Sequence, residues 1–344
     1  MMGSSIVKYC PDGNRDGAQV ITKIKLGSMV TDDQGTVDTA DDETHVDDLV
    51  ESINNIRATA WTPLAEAMYN AIGYYTQNQE VRLADNDFQT DDDVFFDGWQ
   101  PDYDYPPDTY LMDGGGLYRT KEGGHSTDVA VSMATDNDVT WDLVTAYQGN
   151  WASGTDYDEQ DIVSYNDKLY ITYGGGTAGP KPGSPGGPLY DENVVWEPLI
   201  DPVANWCQEN HVLVITEGAS TADISPKIIN FVEGDTTETD PDTGAVYNTF
   251  NTVPILDPGE ADPDLAADQC TDSLQGSTYF DDLTYFARNL ADPTDEESGE
   301  PYTLYPAGND TIPSGDFPYT DMPKNSLKTS IVVAGSLRDD GAAD

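Results

Sequence analysis

The sequence predicts an α/β protein: a doubly wound sheet-and-helix domain interrupted by an insertion that contains a small all-β module. Three observations carry this expectation. Short continuous apolar runs, "VLVI" within "NHVLVITEGAST" (210–221) and "IVV" within the late "SLKTSIVVAG", have the pattern of strands covered on both faces. Stretches with apolar residues at helical spacing alternate with them. Between 77 and 205 both patterns give way to acid- and aromatic-rich segments and a Gly/Pro loop, which marks an insertion.

In chain order, 5–9 and 19–26 read as a strand pair joined by "CPDGNRDGA", with Val20, Ile24 and Leu26 on one face. Residues 46–56 form an amphipathic helix whose stripe is Val46, Leu49, Val50, Ile53 and Ile56, with Asp47 and Asp48 near its positive amino end. In "TPLAEAMYNAIGYY", Thr62 is placed as an N-cap and Pro63 at the first helical position, while Leu64, Met68, Ala71 and Tyr75 line one face. A further helix fits 280–290, with Phe280, Leu283, Ala287 and Leu290 inward. The strands at 211–216 and 329–334 are expected to be neighbours in one mainly parallel sheet flanked by these helices. The domain then comprises 1–80 and 205–344. Within the insertion, 81–142 reads as acidic and irregular, and 143–199 as a small β unit in which "DIVSYN" and "KLYITY" alternate around an Asn-Asp turn.

Composition bounds the function. The chain carries 64 acids against 15 Lys plus Arg, a formal net charge of −49. Such a surface repels phosphate, so nucleic acid and anionic membranes are poor partners; it suits cations, a salty medium or simple solubility. The segment "MMGSSIVKYC" lacks the basic and apolar regions of a signal peptide, and no stretch has the length of a membrane span. Cys10, Cys207 and Cys270 are too few for a disulfide scaffold, and one disulfide or none is compatible with them. His45, His125 and His211 have no metal-ligand spacing and read as structural or surface residues. No nucleophile elbow, phosphate loop or metalloprotease helix occurs, so no enzyme is expected.

The ordered set "TPLAEAMYNAIGYY", "WCQENHVLVITEG", "FDDLTYFARNL" and "KTSIVVAG" resembles the von Willebrand A-type domain of type IV pilus tip adhesins, the PilY family, over roughly 50–80 and 205–335. The resemblance implies an extracellular or cell-surface protein, associated with a pilus and its subunits or other surface proteins. It also places Thr62 and Glu217 at two positions of the family's Mg²⁺ or Ca²⁺ site. The Asp-x-Ser-x-Ser element of that site is missing, and Glu stands where Asp is usual. Weak binding or none is therefore expected, with Thr62 serving as a helix cap and Glu217 as a solvated acid. Separately, "DTTETDPDTGAVY" offers a candidate calcium loop at Asp235, Asp240 and Asp242, with partial Asp-x-Asp-x-Gly spacing.

Inside the insertion, Trp151, Tyr157, Asp161, Val163, Tyr165, Tyr170 and Trp196 fall in an order that resembles the chitin-binding modules of carbohydrate-binding families five and twelve. Gln160 replaces the usual glycine. The resemblance implies a polysaccharide partner. Most of these aromatics must serve as core in so small a unit, and Tyr173, then Tyr147, are the candidates for stacking on sugar. Three readings follow: a pilus-associated adhesin or biogenesis protein, a secreted polysaccharide-binding accessory protein, and a structural subunit of a surface filament.

Overall fold

Branched side chains at 212–215 and 331–333 favour extended backbone, and these two runs do pair. In a computed structural model, which describes 19–25, 29–32, 43–55, 63–128, 132–203, 208–216, 225–233, 237–239, 246–248, 279–288 and 327–333, strands Asn210–Thr216 and Leu327–Val333 run parallel in continuous register, from Asn210 opposite Leu327 to Thr216 opposite Val333. The fold is mixed and strand-rich, with few helices and several small sheets among the described residues. Two compact units divide the chain: Met1–Ala18, Thr59–Ala84 and Asn205–Asp344 form one, and Gln19–Ala58 with Asp85–Ala204 the other.

The first unit holds the parallel pair and three helices, Leu64–Thr76, Pro226–Glu233 and Tyr279–Arg288. Helix Leu64–Thr76 starts one residue later than the proline signal suggested, with Pro63 in the capping position and no side-chain cap. It is buried on most sides: Ala65, Met68, Tyr69, Ile72, Tyr74 and Tyr75 are all in the core. The Tyr75 hydroxyl donates to the His211 carbonyl at 3.2 Å, tying the helix to the strand. Tyr69, Phe231 and Phe286 form an edge-to-face chain, with centroids 5.2 and 4.9 Å apart, that joins the three helices. Helix Pro226–Glu233 has no counterpart in the expected element order.

The second unit contains a duplication that the chain pattern had hidden. Residues 99–143, expected to be irregular, form a second copy of the small β unit at 151–198. At one fixed spacing the identical residues are Trp99 and Trp151, Asp104 and Asp156, Tyr105 and Tyr157, Leu117 and Leu169, Tyr118 and Tyr170, Thr120 and Thr172, Gly123 and Gly175, and Gly124 and Gly176. After a short insertion in the later copy the match resumes with Asp136 and Asp191, Val139 and Val194, and Trp141 and Trp196. Hairpin Thr109–Asp113/Gly116–Thr120 corresponds to Ile162–Tyr165/Lys168–Thr172, and the pairing of Asp104 with His125 to that of Asp156 with Thr177. The Asn166–Asp167 turn has both residues at positive φ, as an Asn-Asp hairpin turn requires, and Gly114–Gly115 takes that role in the first copy.

The two copies pack like face to like face. Tyr110, Leu117 and Val144 of one and Ile162, Leu169 and Leu199 of the other occupy equivalent positions and share a single core cluster. Each copy keeps a small core of its own as well, around Tyr105, Leu111 and Val139 in the first and Tyr157, Val163 and Val194 in the second.

Two expectations are corrected in this unit. Residues 19–25 form no strand. Val20 N–H donates to the Asp87 carbonyl at 2.7 Å and Gln19 Nε2 to the Asn86 carbonyl at 2.8 Å, while Ile21 and Ile24 face solvent and Lys23 is buried. Helix His45–Asn55 forms as predicted, started by Thr44, whose N–H and hydroxyl donate to Asp47 Oδ2 at 2.9 and 2.7 Å. Its apolar stripe is not a core face, because Val46, Leu49, Val50 and Ile53 are 43 to 58 % exposed. Helical spacing specifies which side chains share a face, not what covers it.

Candidate functional site

In the later copy, one carboxylate organises the loops. Asp191 ends the short helical turn Pro188–Tyr190, where its Oδ1 accepts from the backbone N–H groups of Gly179 (3.0 Å), Asn193 (3.0 Å) and Val194 (3.2 Å). Its Oδ2 accepts from the indoles of Trp151 at 3.2 Å and Trp196 at 3.1 Å. Burial raises the Asp191 carboxyl, but the N–H groups of Gly179, Asn193, Trp196 and Val194 outweigh it and hold the pKa below the ordinary carboxylate range. The first copy repeats the device: Asp136 accepts from Trp99 Nε1 at 3.2 Å and from the N–H groups of Thr127, Asp138 and Val139. Trp141 Nε1, the counterpart of Trp196, makes no such bond. In both copies a tyrosine hydroxyl beneath the hub accepts a backbone N–H, Tyr157 from Ala152 at 2.9 Å and Tyr105 from Gln100 at 2.5 Å. Each of these rings meets its tryptophan edge-on, Tyr157–Trp196 at 5.0 Å and Tyr105–Trp141 at 4.9 Å.

Tyr173 and Tyr147, the residues proposed for sugar contact, both lie in this unit. Each is half-buried and packs against the cluster shared by the two copies. The Tyr147 hydroxyl is 2.8 Å from Ser164 Oγ. Thr62, Glu217, Asp235, Asp240 and Asp242 lie outside the described residues. Among the described residues, no group of three or more His, Cys, Asp or Glu is arranged to hold a metal ion.

Two buried charge clusters escaped sequence reading. Asp108 is held by Lys25 Nζ at 2.6 Å on Oδ2 and Arg119 Nε at 2.6 Å on Oδ1, and Lys23 Nζ donates to its backbone carbonyl. Burial pushes the Asp108 carboxyl up, but Lys25, Lys23 and Arg119 together pull it well below the usual range. Burial drives Lys23 the other way, down to about 7. The second cluster sets Lys168 Nζ 3.7 Å from Asp91 and 3.9 Å from Asp201. Burial, only partly countered by Lys168, raises Asp91 to about 6 and Asp201 to about 7. Nothing in the local sequence distinguished these three acids from the other 61.

A pH dependence follows from the second cluster. Both carboxyls titrate higher in the folded state than unfolded, so they favour folding fully below about pH 4, and this contribution is lost as pH rises through 6 to 7. Asp201→Asn should therefore flatten the melting temperature between pH 4 and 8 and raise it at pH 8. An unchanged profile in that variant would remove Asp201 as its source.

Compared with known proteins, the chain matches no family profile and no curated protein.

Proposed function

We propose that this chain is an extracellular, pilus-associated surface protein whose paired β units bind polysaccharide, with an A-type domain as their carrier. The observation that carries the reading is the duplication of a Trp–Tyr–Asp-organised β unit. Its later copy has the residue order Trp151, Tyr157, Asp161, Val163, Tyr165, Tyr170, Trp196 that resembles chitin-binding modules. The parallel pair Asn210–Thr216 and Leu327–Val333, packed beside helix Leu64–Thr76, supports the A-type assignment of the carrier. Pilus subunits and other surface proteins are the partners this reading names, and Thr62 with Glu217 remains a degenerate metal position in it, separate from a calcium loop at Asp235, Asp240 and Asp242. Catalysis forms no part of it.

One observation favours a second reading, a structural subunit of a surface filament: both Tyr173 and Tyr147 are half-buried against the shared core rather than displayed. Retention of the full chain on insoluble chitin and on insoluble cellulose, in molar salt, separates the two. The polysaccharide reading expects depletion of the protein from solution by at least one of these polymers. Full recovery in the supernatant from both would leave the filament reading.

A further inference from the structure

Helix His45–Asn55 buries its polar side. A surface helix ordinarily lays its apolar stripe on the core and shows its polar residues to water. Here His45 is 7 % exposed and Asp48 and Ser52 are half-buried, whereas Val46, Leu49, Val50 and Ile53 are 43 to 58 % exposed. At about 3.6 residues per turn the two sets are centred about a third of a turn apart.

Polar contacts fix this roll. The His45 N–H donates to the Met29 carbonyl at 2.8 Å, and its imidazole is hydrogen-bonded to the Lys23 backbone. The Thr22 hydroxyl donates to Ser52 Oγ at 2.7 Å. Asp48 lies beside the buried charge cluster, close enough to His45 and Arg119 to favour their charged forms. Turning the stripe inward would break these bonds and set aliphatic groups against charges that need polar partners. Helix propensity does not account for the stripe either. Val and Ile are poorer helix formers than the Lys, Glu or Gln suited to exposed helical positions.

The margins of the stripe indicate what covers it. Asp47 and Glu51, exposed and one turn apart, run along one side, and the helix has no Lys or Arg. Ile21 and Ile24, on the segment that Thr22 ties to the helix, are also exposed. A second copy of the chain is a poor occupant. Antiparallel pairing of the helix with itself sets Asp47 and Glu51 against their own equivalents, and each chain brings a formal charge of −49. An anionic lipid surface is poorer still, because helices that lie on such surfaces carry Lys and Arg beside the apolar face.

We propose that this helix is a docking element for another protein, and that its occupant is an amphipathic helix whose aliphatic stripe is bordered by Lys or Arg. Val46, Leu49, Val50 and Ile53 supply the i, i+3, i+4 and i+7 anchors of such a pairing, and Asp47 and Glu51 set its orientation through ion pairs. Two turns of contact bury little surface, so the complex is transient, with a Kd on the order of micromolar. The surface uses none of the residues of the polysaccharide reading, and either can fail alone.

The test titrates the full chain with a synthetic helical peptide of Leu and Lys that has one aliphatic stripe. A scrambled isomer of equal charge is the control, and about 0.5 M sodium chloride limits charge attraction to about 4 Å. The double variant Val50→Gln, Ile53→Gln should bind the patterned peptide about tenfold more weakly. Its melting temperature should be unchanged, since both side chains are exposed and Gln is the better helix former. Glu51→Lys should weaken binding about threefold, and no change there would overturn the basic border. No binding, equal binding of the two peptides, or equal binding by parent and double variant would overturn the docking surface. A fall of several degrees in the melting temperature of the double variant would place the stripe inside the fold and overturn it as well. Self-association of the parent that the double variant abolishes would put a second copy in the partner's place. Binding to mixed phosphatidylcholine and phosphatidylglycerol vesicles, lost in the double variant, would put a lipid surface there.

Discussion

The melting temperature should climb by about 10 °C or more as sodium chloride is raised from about 0.1 M to about 2 M, as charge repulsion is screened over a few ångströms instead of about 10 Å. The expectation starts from 64 acids against 15 basic residues, a formal charge of −49. Where the basic residues sit sharpens it. Lys23, Lys25 and Arg119 are committed to the buried Asp108 cluster, and Lys168 to Asp91 and Asp201. Lys227 is bound to the carbonyls of Arg82 and Leu83. The first four of these cations are used as internal braces and so do little to neutralise the acidic surface. Differential scanning fluorimetry across a salt series, with sucrose as an uncharged control, measures the effect. A flat salt series, or an equal rise in sucrose, would show that repulsion does not limit stability.

Asp191→Ala should be the most damaging single substitution in the paired β units. It withdraws the acceptor from two indole and three backbone donors at once. Leaving buried N–H groups unpaired costs about 1 to 3 kcal/mol each, and water entering the collapsed corner recovers part of that, so a net loss of about 4 kcal/mol is expected. The equivalent Asp136→Ala removes one indole and three backbone bonds from a carboxylate that is only half-buried, so roughly half the loss is expected there. Urea midpoints for the two variants read the ordering directly. Because the Asp191 pKa is depressed on folding, its contribution is present above about pH 4 and lost as pH falls below that. Equal midpoints for the two variants and the parent would mean that the hubs only decorate a fold held by its aromatic cores.

Much of this was written locally. The pairing of strands Asn210–Thr216 and Leu327–Val333, the three long helices and the Asn166–Asp167 hairpin were readable because periodicity and turn chemistry act over a few residues. The strands are not covered on both faces as their apolar runs suggested, since Leu213, Ile215, Ile331 and Val332 are exposed. The duplication was readable too, but only by comparing distant stretches: Trp99, Asp104 and Tyr105 repeat at one spacing in Trp151, Asp156 and Tyr157. Acid-rich filler between these positions hid it, since Asp and Pro in 85–108 lower strand propensity where cross-strand pairing then overrides it. The Lys23–Asp108–Arg119 and Asp91–Lys168–Asp201 clusters were not legible at all. Their members come from segments far apart in the chain, and a buried Asp carries the same letter as an exposed one. Helix His45–Asn55 marks the opposite failure, a correct element whose apolar side is largely exposed.

The like-to-like packing of the two copies has a consequence for how they came to differ. Equivalent faces in mutual contact are the arrangement of a two-fold dimer, here carried by one polypeptide. Separate subunits would part on dilution and would share every substitution. Tethered, they hold together at any concentration and each half mutates alone. One half can therefore keep the Gln148–Asp161 clamp as a brace, while the other carries Phe96 and Thr109 at the equivalent positions.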